Sequence, residues 1–149
     1  MLEVKGNIWD YYDKGHWICI TTNCSINSKG ENVMGRGIAL QAKQRFPELP
    51  KLIGHDIVGC DGIFPVLYFH HRIITYPTKH LWSDKTSSIN LIKDGAIIIF
   101  EFLRYYPEID KIFVPRPGCG AGKLLWKDVK QVIEPIFDDR FCVISLNGE

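Results

Sequence analysis

The strongest limit on how this chain folds is the segment Pro115-Arg-Pro-Gly-Cys-Gly-Ala-Gly-Lys-Leu-Leu-Trp126. Gly118, Gly120 and Gly122 stand at alternate positions directly after the apolar run Ile112-Phe113-Val114. Behind them lies a helical pattern at Val129, Val132, Ile133 and Ile136. A strand that breaks into a glycine loop and then a helix is how α/β proteins bring bare backbone N–H groups to a phosphate. Missing side chains permit close approach, and the amides supply donors without a mobile cation.

Two standard phosphate motifs fail here. A Walker A loop set on Gly122-Lys123 requires glycine at 117 and a hydroxyl at 124, where the chain has Pro117 and Leu124. Without the hydroxyl that holds magnesium, an NTPase is not indicated. A dinucleotide fingerprint requires G-x-G-x-x-G in a first βαβ unit with an acid about 20 residues on. The spacing here is G-x-G-x-G, with only one helix and one strand to follow. A tight surface turn needs only one or two glycines and a polar residue.

At 149 residues the chain fits one domain, residues 1–149, with a proper core. No apolar run approaches membrane-spanning length, and the start Met1-Leu-Glu-Val-Lys-Gly lacks the order of a signal peptide. A net charge of +1 and the lack of a basic stripe argue against electrostatically driven nucleic-acid binding. A nucleic-acid substrate held through one modified group stays compatible with that. The five cysteines are odd in number and share no C-x-x-C spacing, so a reduced, cytoplasmic protein is expected. Cys19 and Cys142 lie in apolar strands. Cys119, between two loop glycines, is a conceivable thiol nucleophile, but no histidine lies near it in sequence to act as base.

Strands are expected at 2–5, 17–22, 111–114 and 141–146, with 63–69 and 72–75 as a hairpin pair. Helices are expected from Arg36 to the interruption at Pro47 and Pro50, over 51–58, and after Gly122. The longest helix carries the stripe Ile89, Ile92, Ala96, Ile99, Phe100 and Leu103, with Ser87 as its cap. This order predicts an α/β fold with helices on both faces of a mixed sheet.

A second glycine loop parallels the first. After the strand ending at Thr22 come Asn23-Cys24 and a polar stretch, then Val33-Met-Gly-Arg-Gly-Ile-Ala-Leu-Gln41. Gly35 and Gly37 precede a helix start, which favours phosphate through its dipole and unpaired N–H groups. Two such loops at strand ends suit a ligand with two phosphates. Arg36 is either a phosphate clamp or a solvated first-turn side chain.

These segments, together with Val4-Lys-Gly-Asn-Ile8, resemble the macro domain over nearly the whole chain. The resemblance is greatest to the branch holding the terminal ADP-ribose protein glycohydrolase and the antitoxin that removes ADP-ribose from DNA. It implies a three-layer α/β/α sandwich around a mixed sheet of about six strands, with an ADP-ribose cleft across the strand ends. The family's adenine-binding Asp is Asn7 here, an acceptor without charge. Ile8 gives a backbone contact to adenine, and Asn23 addresses the distal ribose. Gly35, Gly37 and Ile38 line that ribose and a phosphate. Gly118, Cys119, Gly120, Ala121, Gly122 and Lys123 wrap the diphosphate, and Met34, Ala39, Thr78, Pro115 and Leu124 join the ADP-ribose-binding set.

The resemblance places the chemistry in Tyr76-Pro-Thr-Lys-His-Leu-Trp82, read as a loop after the strand 72–75. Lys79 matches the lysine that the DNA-directed branch needs for activity. Partial desolvation by Tyr76 and Trp82, both substrate-facing, would favour its attack on the anomeric carbon of the distal ribose. Acid, base or charge-stabilising roles are the alternatives, with His80 and Asn23 as catalytic support. The protein-directed enzyme carries an acid where this chain has Gly122, so the pattern favours ADP-ribosylated DNA over protein as partner. His70-His71 lacks further ligands at zinc spacing, and neither a metal nor a cofactor is implied.

The implied function is hydrolytic removal of ADP-ribose from a modified target, with a DNA base as the expected attachment, by a monomer without membrane association. An ADP-ribose-1″-phosphate phosphatase and a non-catalytic ADP-ribose binding module are the alternatives.

Overall fold

The computed structural model describes residues 1–60 and 63–147. Strands β1 (Leu2–Lys5), β2 (Trp17–Asn23), β3 (Leu67–Tyr68), β4 (Ile73–Lys79), β5 (Ile112–Pro115) and β6 (Phe141–Ser145) form one sheet in the order β1-β6-β5-β2-β4-β3. All neighbours are parallel except β3, which runs antiparallel to β4. The mixed sheet of six strands matches the expected architecture.

Helices α1 (Ile8–Asp13), α2 (Gly37–Arg45) and α3 (Leu49–Cys60) share a core with one face of the sheet, and α4 (Ile89–Tyr105) and α5 (Trp126–Ile133) with the other. The strands read as continuous apolar runs because both faces are covered. Ile18, Ile20, Ile73, Phe113, Cys142 and Ile144 pack with Trp9, Tyr12, Ala42 and Leu49. Cys19, Ile74, Tyr76, Ile112, Val114 and Val143 pack instead with Ile92, Ala96, Ile99 and Ile133. Alternation of side chains along each strand therefore divides one sequence run between two cores.

Several elements differ from the sequence reading. Helix α1 was not expected: Asn7 caps it, its Oδ1 accepting from Trp9 N–H at 3.0 Å, and the helix buries Ile8, Trp9 and Tyr12. Helix α3 exceeds the expected 51–58 at both ends. Pro50 stands in its first turn, where its missing N–H costs nothing. The hairpin forms, but β3 keeps two residues, and Phe69–His71 is a 3₁₀ turn ending at Arg72 with φ +52°. Strand β4 runs on to Lys79 because Tyr76, Pro77 and Lys79 pair with Thr21, Thr22 and Asn23 of β2. Tyr76-Pro-Thr-Lys79 is thus strand and not loop. A register shift between Thr22 and Asn23 lies beside Pro77, whose missing donor a regular ladder would not tolerate. Ser88 caps α4, its Oγ accepting from Leu91 N–H at 3.2 Å, one residue beyond the expected Ser87.

Candidate ligand cleft

A cleft of about 970 Å³ opens across the carboxyl ends of the strands. The chain leaves β2 toward β4 and leaves β5 toward β6, so the adjacent pair β2–β5 forms a switch point. Ligands of open α/β sheets bind in the crevice outside such a point. Asn7, after β1, and Lys79, ending β4, both line it. Four strand positions separate them, about 19 Å at roughly 4.8 Å per strand. The volume stands near the upper end of the usual small-ligand range of about 300–1,000 Å³.

Two backbone cradles face each other across the switch point. At the first, Gly37 takes φ +55° and opens α2 without a side-chain cap on Arg36. The first amides of that helix have no intrahelical acceptor and carry the positive end of its dipole. In the second, Gly118 takes φ +76°, and the loop is closed by Leu124 N–H to Gly118 O at 2.9 Å and Lys123 N–H to Gly120 O at 3.0 Å. Among the described residues the amides of Gly120, Ala121 and Gly122 donate to no protein acceptor. Each cradle therefore keeps unused donors beside the cleft, suited to an anion.

The lining charge has one sign. Arg36, Lys79 and Arg116 line the cleft, and no Asp or Glu does among the described residues. Arg116 is partly neutralised, its guanidinium 4.0 Å from Glu3 and 4.9 Å above the Trp126 ring. Arg36 and Lys79 have no ion-pair partner among the described residues. The thiol of Cys119 is pushed up to about 11 by burial, and its Sγ lies 3.6 Å from Pro117 O. It is protonated near neutral pH and poorly suited to act as a nucleophile.

Asn23 is held rigidly at the end of β2. Its Nδ2 donates to Val33 O at 2.8 Å, and its Oδ1 accepts from Ser25 N–H at 3.0 Å and Asn32 Nδ2 at 3.2 Å. One N–H of the amide remains for a ligand. Lys79 stands half-buried next to this strand end. The segment that follows is tied down by Cys24 N–H to His80 O at 3.1 Å and Trp82 N–H to Ser25 Oγ at 2.9 Å.

Most of the expected binding positions meet here: Asn7, Ile8, Asn23, Gly35, Gly37, Ile38, Ala39, Thr78, Lys79, Trp82, Pro115 and the run 118–122 all line the cleft. Four side chains do not, and His80 is a fifth. Tyr76 is completely buried and donates its hydroxyl to Ile92 O at 2.6 Å, because its position in β4 faces α4. It is therefore not substrate-facing and does not desolvate Lys79. Met34, 2% exposed, packs in the core under α2. Lys123, at φ +62°, is exposed outside the cleft, and Leu124 packs against the α4–α5 core. His80 is exposed and absent from the lining.

The sequence reading missed Ser87, Arg116, Gln41, Ser145 and Leu146. Ser145 and Leu146 stand at the end of β6, so the strand-end rule would have found them. The sequence marks Ser87 only as a helix cap and not as a cleft residue. Folding brings it to the glycine loop, where its N–H donates to Gly122 O at 3.0 Å.

No protein-family model matches the chain. It is 33% identical over 135 residues to the DNA ADP-ribosyl glycohydrolase of Mycobacterium tuberculosis, covering 85% of this chain but only 38% of that protein. It is 30% identical over 141 residues to the ADP-ribose glycohydrolase OARD1 of Bos taurus, covering 91% of this chain and 90% of the relative. Among solved structures, the macrodomain of Mycobacterium tuberculosis DarG superimposes with a TM-score of 0.76 at 28% identity, over 96% of this chain and 95% of that one. Thermosipho africanus DarTG, solved in complex with ADP-ribose, shares the fold at a TM-score of 0.75 and 21% identity, over 97% of this chain and 41% of that one. The sheet order, the paired glycine cradles and these relatives agree, and the chain belongs to the macro domain family.

Proposed function

We propose that this chain binds ADP-ribose in the cleft and hydrolyses its bond to a modified target, with a DNA base as that target. The observation that carries the reading is the charge of the lining: unpartnered Arg36 and Lys79 with no carboxylate among the described lining residues. The two cradles suit a diphosphate, Asn7 lies at the far end for the adenine, and Lys79 lies at the end that would receive the distal ribose.

Lys79 is then the side chain suited to covalent chemistry, since the Cys119 thiol is held protonated by burial. In the neutral form its Nζ forms a bond to C1″ of the distal ribose as the C1″–base bond breaks. The proton lost by the attacking nitrogen passes to the base nitrogen that leaves. Water cleaves the adduct, releasing ADP-ribose and restoring the amine. A lysine that stays charged and supports a direct attack by water uses the same geometry. The name of the mycobacterial relative and the lack of an acid at Gly122 support a nucleobase over an ester-linked protein side chain.

The test is incubation with an ADP-ribosylated DNA oligonucleotide, an ADP-ribosylated protein and ADP-ribose-1″-phosphate, with products separated by chromatography. Free ADP-ribose is expected from the DNA, reduced at least about a hundredfold in Lys79→Ala while affinity for free ADP-ribose persists. Inorganic phosphate from the third substrate would replace this reading with a phosphatase. Binding without any product would reduce it to a binding module.

A further inference from the structure

We propose that Trp82 is the stacking platform for the planar group that leaves the distal ribose, and that it selects base-linked over ester-linked ADP-ribose. The proposal rests on the reading of the cleft given above and identifies what its open end recognises.

Trp82 is 60% exposed, although indole is among the largest apolar surfaces a chain can offer. Its ring enters no ring pair and its indole N–H no hydrogen bond among the described residues. The backbone beneath it is fixed nonetheless. Trp82 N–H donates to Ser25 Oγ at 2.9 Å, and the turn it occupies is closed by Leu81 N–H to Asp84 Oδ2 at 2.9 Å and Asp84 N–H to Leu81 O at 3.1 Å. A rigid turn thus presents an aromatic side chain that is mostly open to solvent.

Its place in the cleft says which group it would meet. Among the described lining residues Trp82 is the one aromatic, and it lies three residues beyond Lys79. The adenine end, at Asn7, is walled by aliphatic Ile8, Ile144 and Leu146. A stacking surface meant for adenine would stand at that end. At the Lys79 end, the planar group within reach is the leaving base. Stacking of a base on an aromatic side chain is worth about 1–3 kcal/mol, or about 5–150-fold in rate or affinity, and tolerates any base because each has a π face. A glutamate or aspartate ester offers no such face.

The experiment measures kcat/KM for Trp82→Ala and Trp82→Phe on a base-linked ADP-ribosylated oligonucleotide and on an ester-linked ADP-ribosylated peptide, with Kd for free ADP-ribose alongside. The alanine variant should lose about 5–150-fold on the oligonucleotide, and phenylalanine should recover most of it. Free ADP-ribose affinity and thermal stability should stay unchanged. Activity on the oligonucleotide equal to that of the unaltered protein overturns the assignment. So does a parallel loss on the peptide or in ADP-ribose affinity, which would mean that the ring packs on the ribose itself. No release from DNA by the unaltered protein overturns the underlying reading and Trp82's role with it.

Discussion

The backbone N–H of Ser87 donates to the carbonyl of Gly122 at 3.0 Å, and the next residue, Ser88, donates its N–H to Thr78 O at 2.7 Å. Two consecutive serines at the start of α4 thereby join the glycine loop after β5 to the strand that ends in Lys79. The contact is tight enough to dictate residue type. A Cβ on Gly122 would lie 2.0 Å from Ser87 Oγ and 2.6 Å from Gly118 O. Position 122 is closed to every side chain, not merely lacking an acid.

Gly122→Asp should therefore damage the cleft. The added atoms displace Ser87 or the Gly118 carbonyl, and overpacking of this kind costs about 1–3 kcal/mol. A lower melting temperature and at least about tenfold weaker ADP-ribose binding are expected. Calorimetric titration with normal affinity would show that the loop yields freely.

Ser87→Ala should behave in the opposite way toward stability. Ser87 is 7% exposed, and its Oγ is buried without a hydrogen-bond partner among the described residues. A buried hydroxyl that makes no bond costs about 1–3 kcal/mol in desolvation. Denaturant melts should give a stability unchanged or higher; a clear loss would mean that the hydroxyl has a partner in solution.

Tyr76→Phe separates core from cleft. Burial pushes the phenol well above its usual range, so it is neutral, and its bond to Ile92 O is the 2.6 Å contact that the substitution deletes. A loss of about 1 kcal/mol of stability is expected, with ADP-ribose release per folded molecule unchanged. A selective fall in turnover would put the ring back at the reaction.

Gly54→Ala should weaken the support of Asn23 from a distance. A Cβ there would lie 2.1 Å from Gly30 O and 3.1 Å from Asn32 N, backbone atoms of the loop that α3 packs against. Asn32 in turn holds Asn23 through Nδ2 contacts of 3.1 and 3.2 Å. About 1–3 kcal/mol of destabilisation is expected, together with weaker ADP-ribose binding, read by unfolding and titration on the same sample.

Cys119 should resist alkylation near neutral pH. Its ordinary value is 9.0 and burial raises it to about 11, so at pH 8 only about one thiol in a thousand is ionised. The raised value also fixes the sign of the stability effect. The protonated, buried thiol contributes stability that is whole below pH 9 and is lost as pH rises toward 11. Iodoacetamide labelling with a midpoint near pH 9 would show that the loop leaves this thiol open to water.

The cradles were legible because their signals are local. Gly37 and Gly118 take left-handed φ values that other residues reach with difficulty, and each follows a strand of unmistakable apolar character. Lys79 was found through motif similarity. Its neighbour Tyr76 was misplaced because a strand segment containing Pro77 reads as a loop until β2 pairs with it. The shortness of β3 and the length of α3 likewise depended on which partners were present to bury them.

What the sequence determined alone was the α/β alternation and the two glycine loops, since each rests on neighbours a few residues apart. What only the tertiary structure decided was facing. A strand's side chains point to opposite layers, so one position of β4 buries Tyr76 under α4 while the strand's end carries Lys79 to the cleft. Ser87 reached Gly122 across 35 residues because α4 returns antiparallel over the sheet, a contact that no local rule contains.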